Sequence, residues 1–169
     1  MTQSVELLLE PAAQARTVAL WRLLDEAGLR SQAQHRGASN LPHVTLVSAR
    51  AVPRDAEDAV ARACLDRLPL DVRLGPLVVL GSGPVALARL VVADAGLLAL
   101  HDAVAAHLHA AGSAGAVGRW VPHVTLALRM PVDQLPEAVG VLGGLPDERV
   151  RLDRARRWDS VARRAWTLS

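Results

Sequence analysis

The string Pro-His-Val-Thr-Leu occupies Pro42–Leu46 and returns unchanged at Pro122–Leu126, eighty residues further on. Each copy opens a short run rich in Val, Leu and Ala, the pattern of a buried strand. Side chains two apart on a strand share a face. His43 therefore sides with Thr45 and His123 with Thr125, while Val44, Leu46, Val124 and Leu126 turn toward a core. Along each strand the His and Thr lie roughly 6–7 Å apart at the usual rise per residue.

The same order of elements surrounds both copies. Ser4 to Glu10 reads as a strand, Pro11 opens a helix running to Gly28, and a polar loop leads from Arg30 to Leu41 into the strand beginning at His43. A second helix is expected from Arg54 to Leu68, with Asp55, Glu57 and Asp58 in its first turn. Two short strands follow, Leu70 to Leu74 and Leu77 to Leu80, punctuated by Gly75-Pro76. The opening pattern then repeats: a strand from Val85 to Ala93, a helix capped by Asp94 and running to Ala111, a glycine-rich loop from Gly112 to Gly118, and a strand from His123 to Met130. A short helix from Pro131 to Leu142 and two closing strands, Glu148 to Ala155 and Val161 to Leu168, complete the chain. Strand, helix, loop, strand thus occurs twice in 169 residues. The expectation is one α+β domain over residues 1–169, bilobal, with two pseudo-twofold-related packed lobes.

If the halves pack about such an axis, two imidazoles and two hydroxyls meet in one cleft, and that set suits phosphodiester chemistry. One neutral imidazole takes a proton from the attacking oxygen while the other, protonated, gives one to the leaving oxygen. The hydroxyls hydrogen-bond the non-bridging oxygens as charge moves onto them, and no metal is required. A single His-x-Thr would fit a polar residue lining an interface equally well. Two identical copies at matching places in a duplicated architecture favour catalysis.

Composition narrows the alternatives. The chain has no Lys, Tyr, Phe or Ile, and all nineteen basic residues are Arg, the signature of a GC-rich genome. Without Lys there is no Schiff base, lysyl-nucleotide intermediate or P-loop lysine, so the lysine route to ATP-driven ligation is excluded. Net charge is +2, but residues 149–169 hold seven Arg against Asp153 and Asp159. That segment could meet phosphate or could simply be solvated strand faces. Cys64 is the only cysteine, which excludes an internal disulfide and a thiolate zinc cluster and suits a small buried side chain. The beginning of the chain lacks a basic stretch before an apolar one, and no uncharged apolar run reaches ~18 residues. A cytoplasmic, monomeric protein without membrane association is the expectation.

On its paired His-x-Thr motifs, eighty residues apart, the chain resembles the 2H phosphoesterase superfamily, and within it the 2′-5′ RNA ligase and RNA cyclic phosphodiesterase branch. The resemblance implies two antiparallel sheets with helices outside and a central cleft. It also implies cofactor-free, metal-independent opening of a 2′,3′-cyclic phosphate on an RNA end or small nucleotide to a 2′-phosphate, with 2′-5′ ligation as the same chemistry reversed. His43 would then be the general acid, His123 the general base, and Thr45 and Thr125 phosphate ligands; the residues alone leave the two histidine roles interchangeable. Members of the family often stack the base on Phe or Tyr, and this chain has neither. Trp120 is the remaining candidate platform. Arg129, six residues beyond His123 and on the same face by alternation, and Arg119 are candidates for a terminal phosphate.

Other residues offer less. His101, His107 and His109 share one helix without the three- or four-residue spacing that pairs metal ligands. His35 could edge the cleft, Trp158 and Trp166 suit sheet packing, and Ser48 has the wrong parity for the His43 face. Two further functions remain open: a non-catalytic RNA- or nucleotide-binding module, and a phosphoesterase for another cyclic phosphate such as an ADP-ribose derivative.

Overall fold

The computed structural model describes residues 3–110 and 120–169. The expected glycine-rich loop, the helix end at Ala111 and Arg119 lie outside the described residues. Among the described residues there are seven strands: β1 (Gln3–Leu9), β2 (His43–Ala49), β3 (Leu70–Leu80), β4 (Val85–Val92), β5 (His123–Met130), β6 (Glu148–Asp159) and β7 (Arg164–Thr167). Four α-helices accompany them: α1 (Pro11–Glu26), α2 (Arg54–Leu65), α3 (Ala95–Ala110) and α4 (Leu135–Leu142). The fold is α+β, with every strand pair antiparallel.

The strands lie in the order β1-β2-β5-β4-β3-β6-β7, and β6 also returns to β1, so six strands form a closed circuit with β7 outside it. One half of the circuit is β1, β2 and the second part of β6; the other is β5, β4, β3 and the first part of β6. The two sheets are thus continuous, joined through β6 on one side and by a single pair, Val44 opposite Val124, on the other. Both valines are almost wholly buried.

The duplication is visible residue by residue. In the first half Leu8 pairs with His43, Leu7 with Val44 and Glu6 with Thr45. In the second Leu90 pairs with His123, Arg89 with Val124 and Ala88 with Thr125. Both ladders then skip one residue, Leu46 in β2 and Leu126 in β5, before Val5 meets Val47 and Leu87 meets Ala127. A β-bulge of this kind turns the strand by one residue, so alternation restarts beyond it.

The helices are exchanged between the halves. Helix α1 starts with Pro at its first position, ends before Gly28 (φ +74°), and buries Ala13, Thr17, Trp21 and Leu24 on one stripe. Trp21 and Leu24 of that stripe pack toward β5 and α4, in a core with Leu87, Leu126, Met130 and Leu142, while Ala13 at its start joins the other core. Helix α3, from the second half, lies against α2 and β2, where Leu97, Leu100, Val104 and Leu108 join Val5, Leu7, Val44, Leu46 and Val60. Neither half is self-contained, because each packs against a helix from the other stretch of chain. Departures from the expected elements have local causes. Gly75-Pro76 is a bulge inside one continuous β3, the last helix begins as a 3-10 turn over Val132–Gln134, and β6 runs to Asp159 because β1 and β7 flank it.

Arg89 holds the second half together. It stands on the core face where the first half has Leu7, and its guanidinium donates to the carbonyls of Leu74, Gly75 and Pro146 and to Glu148 Oε2 (3.3 Å). Burial pulls this guanidinium below the usual arginine range and Glu148 opposes the shift. Removing the charge by Arg89→Met is expected to cost about 3 kcal/mol, since three carbonyls and a carboxylate lose their donor. Cys64 is a built-in reporter: burial pushes its thiol up to about 11, so at neutral pH a thiol reagent should label it only through unfolding. Arg89→Met should raise that labelling rate about a hundredfold, whereas an unchanged rate would show the arginine to be dispensable.

Candidate active site

Antiparallel partners share a face, so with Val44 opposite Val124 in the core, the flanking side chains of both strands turn to the other side. The same register directs His43 toward Thr125 and Thr45 toward His123. The histidines become diagonal neighbours, with backbones roughly 7–8 Å apart by ordinary sheet geometry, enough for a phosphate between their rings. All four side chains are half-buried, as the walls of a solvent-reached cleft require.

Backbone carbonyls orient both rings in the same way. His43 Nδ1 lies 2.7 Å from Leu41 O, and His123 Nδ1 lies 2.7 Å from Val121 O. A carbonyl only accepts, so each Nδ1 carries the hydrogen and each Nε2 is left as the working nitrogen. The proline between acceptor and ring, Pro42 or Pro122, has fixed φ and holds its predecessor extended. The repeated Pro-His thus sets the histidine tautomer as well as the strand entry.

Two indoles brace the threonines from opposite halves. Trp21 Nε1 donates to Thr125 O and Trp120 Nε1 to Thr45 O, each at 2.9 Å. Trp120 also stacks on His101, with ring centroids 4.2 Å apart and planes 13° from parallel. His101 is therefore paired with an aromatic ring. Among the described residues no cluster of three or more His, Cys, Asp or Glu is placed to hold a metal ion.

Parity arguments fail beyond the bulges. Ser48, set aside by alternation, pairs with Ser4 and so returns to the His43 face. Arg129 is not carried along the His123 face: Leu126 is bulged, and a second irregularity near residues 128–129 leaves Arg129 at φ +54°. Its exposed side chain lines a cavity of about 410 Å³ with Arg30, Ser31, Gln34, His35 and Leu128. The basic C-terminal segment is largely neutralised within the fold. Arg151 pairs with Asp71, Arg154 with Asp153, Arg156 with Glu6 and Arg157 with Glu57. Trp166 meets Arg157 and Arg164 and donates to Glu57, and Trp158 pairs across β7.

Glu6 is the site residue that strand alternation alone passes over. Its buried carboxylate lies 3.7 Å from His43 Nε2, accepts from Ser4 Oγ at 2.7 Å and from Arg156 Nε at 2.8 Å. The only signal in the sequence is a lone acid inside the apolar run Ser4–Leu9.

The profile of the 2′-5′ RNA ligase superfamily matches residues 9–164. The chain belongs to that superfamily. No curated protein matches the sequence. Among solved structures, TT0787 of Thermus thermophilus shares the fold with TM-score 0.66 at 17% identity, covering 100% of this chain and 96% of its own. LigT of E. coli in its apo form superposes with TM-score 0.64 at 14% identity, covering 99% and 94%, and the same protein complexed with 3′-AMP gives 0.62 at 12%, covering 99% and 96%. A further neighbour, solved as a phosphoesterase, superposes with TM-score 0.58 at 15% identity, covering 99% of this chain and 97% of its own, so family and fold both support an enzyme of the 2H phosphoesterase class. No helix among the described residues is long and apolar enough to cross a membrane.

Trp21→Phe keeps an aromatic side chain in the brace and deletes its N–H donor together with part of the indole. Leaving Thr125 O without its partner is expected to destabilise the protein by about 1–2 kcal/mol in urea denaturation. A midpoint equal to wild type would mean that the indole N–H holds nothing.

Proposed function

We propose that the protein is a metal-independent phosphodiesterase that opens a 2′,3′-cyclic phosphate, at an RNA end or on a small nucleotide, to a 2′-phosphate. The observation that carries this reading is the matched pair of imidazoles, each with Nδ1 tied to the carbonyl two residues back, on strands whose Val44–Val124 register sets each histidine opposite the other strand's threonine.

His123 Nε2, as a lone pair, takes a proton from water as the water oxygen bonds to phosphorus. His43 Nε2–H gives its proton to the 3′ oxygen as the bond from phosphorus to that oxygen breaks. Thr45 and Thr125 donate to the two non-bridging oxygens, and their backbones are held by Trp120 and Trp21. The histidines exchange protons with solvent before the next turnover. With a 5′-hydroxyl in place of water as the nucleophile, the same transfers in the same direction join a 2′-5′ linkage without a nucleotide cofactor. Trp120, half-buried beside the cleft, offers aromatic surface to a base, and Arg129, beside Arg30, offers charge to a further phosphate. Complexes of LigT with 3′-AMP, NADP+ and ATP support a nucleotide as ligand.

With EDTA present, wild-type protein should hydrolyse 2′,3′-cyclic AMP to 2′-AMP with a bell-shaped pH–rate profile. His43→Ala and His123→Ala should each lower kcat about 10²- to 10⁴-fold while the urea midpoint stays near wild type. Wild-type activity in either variant would overturn the two-histidine mechanism, and nucleotide binding by the wild type without product would favour a binding module instead. A panel that includes a cyclic phosphate of ADP-ribose then fixes substrate preference.

A further inference from the structure

The two halves match at the catalytic strands and differ at one place beside them. Thr45 faces Glu6 across the β1–β2 ladder, and Thr125 faces Ala88 across β4–β5. Partners across a ladder share a face, so Glu6 projects into the cleft beside His43, whereas a methyl group occupies the equivalent place beside His123. The carboxylate is 4% exposed and fully engaged, by Ser4 from its own strand and by Arg156 from β6. Replacing a buried ion pair by apolar residues is often neutral or stabilising, so this assembly calls for a reason other than stability.

The reason lies in which nitrogen Glu6 faces. In the usual carboxylate–histidine arrangement the acid holds the nitrogen that does not react. Here a carbonyl already holds Nδ1, and Glu6 Oε1 is 3.7 Å from Nε2, the reacting nitrogen. Two lone pairs face each other there if Nε2 is bare, and a charge-assisted contact forms if Nε2 bears hydrogen. The neighbourhood therefore suits a proton donor and does not suit a base. Arg156 and Ser4 keep the carboxylate from turning away. Among the described residues, the charged group paired with His43 is Glu6 on β1, itself paired with Arg156 on β6.

We propose that Glu6 is a positioning residue that makes the two histidines inequivalent, holding His43 as the proton donor to the leaving oxygen and so fixing the direction of attack across the cleft. This assignment rests on the two-histidine reading above. The test compares 2′,3′-cyclic AMP with the analogue in which sulfur replaces the 3′ oxygen, because a thiolate leaves without protonation. Glu6→Gln should lower kcat ten- to a hundredfold on the oxygen substrate and no more than about threefold on the sulfur one, with KM nearly unchanged on both. Since the single variant strands Arg156, the double variant Glu6→Gln with Arg156→Gln, which restores a neutral hydrogen-bonded pair, should show the same selectivity. Equal losses on both substrates, or no loss on oxygen, would overturn the role of Glu6. His43→Ala and His123→Ala are the controls: sulfur should rescue the first and not the second. If it fails to rescue His43→Ala, His43 is not the acid, and the underlying reading falls with the proposal. If it rescues His43→Ala while both Glu6 variants lose equally on the two substrates, only the proposal falls.

Discussion

One backbone pairing decides what the cleft can do. Val44 opposite Val124 is the sole ladder contact between β2 and β5, and it sets the register in which each histidine meets the other strand's threonine. A slip of one residue would turn the imidazoles into the core and the valines into the cleft. The bulges at Leu46 and Leu126 serve the same end, since both strands leave the shared face soon after the threonine and rejoin separate cores. Short contact followed by divergence is what makes a cleft between two sheets that are otherwise one hydrogen-bonded system.

Around that contact the polar atoms that matter are held by main chain. Each imidazole is oriented by a carbonyl two residues earlier, and each threonine backbone is held by an indole from a distant part of the chain. Such supports carry no net charge and change little with pH or salt, so the cleft keeps its geometry while its histidines exchange protons. The pair Glu6 and Arg156 beside His43 is a charged exception on the cleft face, with an alanine, Ala88, at the equivalent place in the other half.

The pentapeptide, its spacing and the repeated element order were legible in the sequence because they are local. They suffice for the fold class and the family, and they nominate the four side chains from which the proposed site is built. What stayed hidden is long-range. Glu6 and Arg156 are 150 residues apart, and nothing near either announces the other. Alternation misplaced Ser48 and Arg129 because a bulge changes parity without changing composition. The exchange of α1 and α3 could not be read either, because an amphipathic stripe says that a helix has a buried face and not which sheet covers it. The arginines of the last two strands looked like a basic surface because charge counts ignore partners that arrive by folding.

The closed circuit has a consequence for how the chain reaches its structure during synthesis. β1 leaves the ribosome well before β6 and needs both β2 and β6, and its register with β6 runs from Gln3 opposite Asp159 to Leu9 opposite Leu152. Until β6 emerges, β1 presents an apolar strand with a bare edge, and the helix that follows it waits for β5. A nascent chain of this topology cannot complete one half and then the other. Its first strand keeps an unpaired apolar edge until the last long strand has been made.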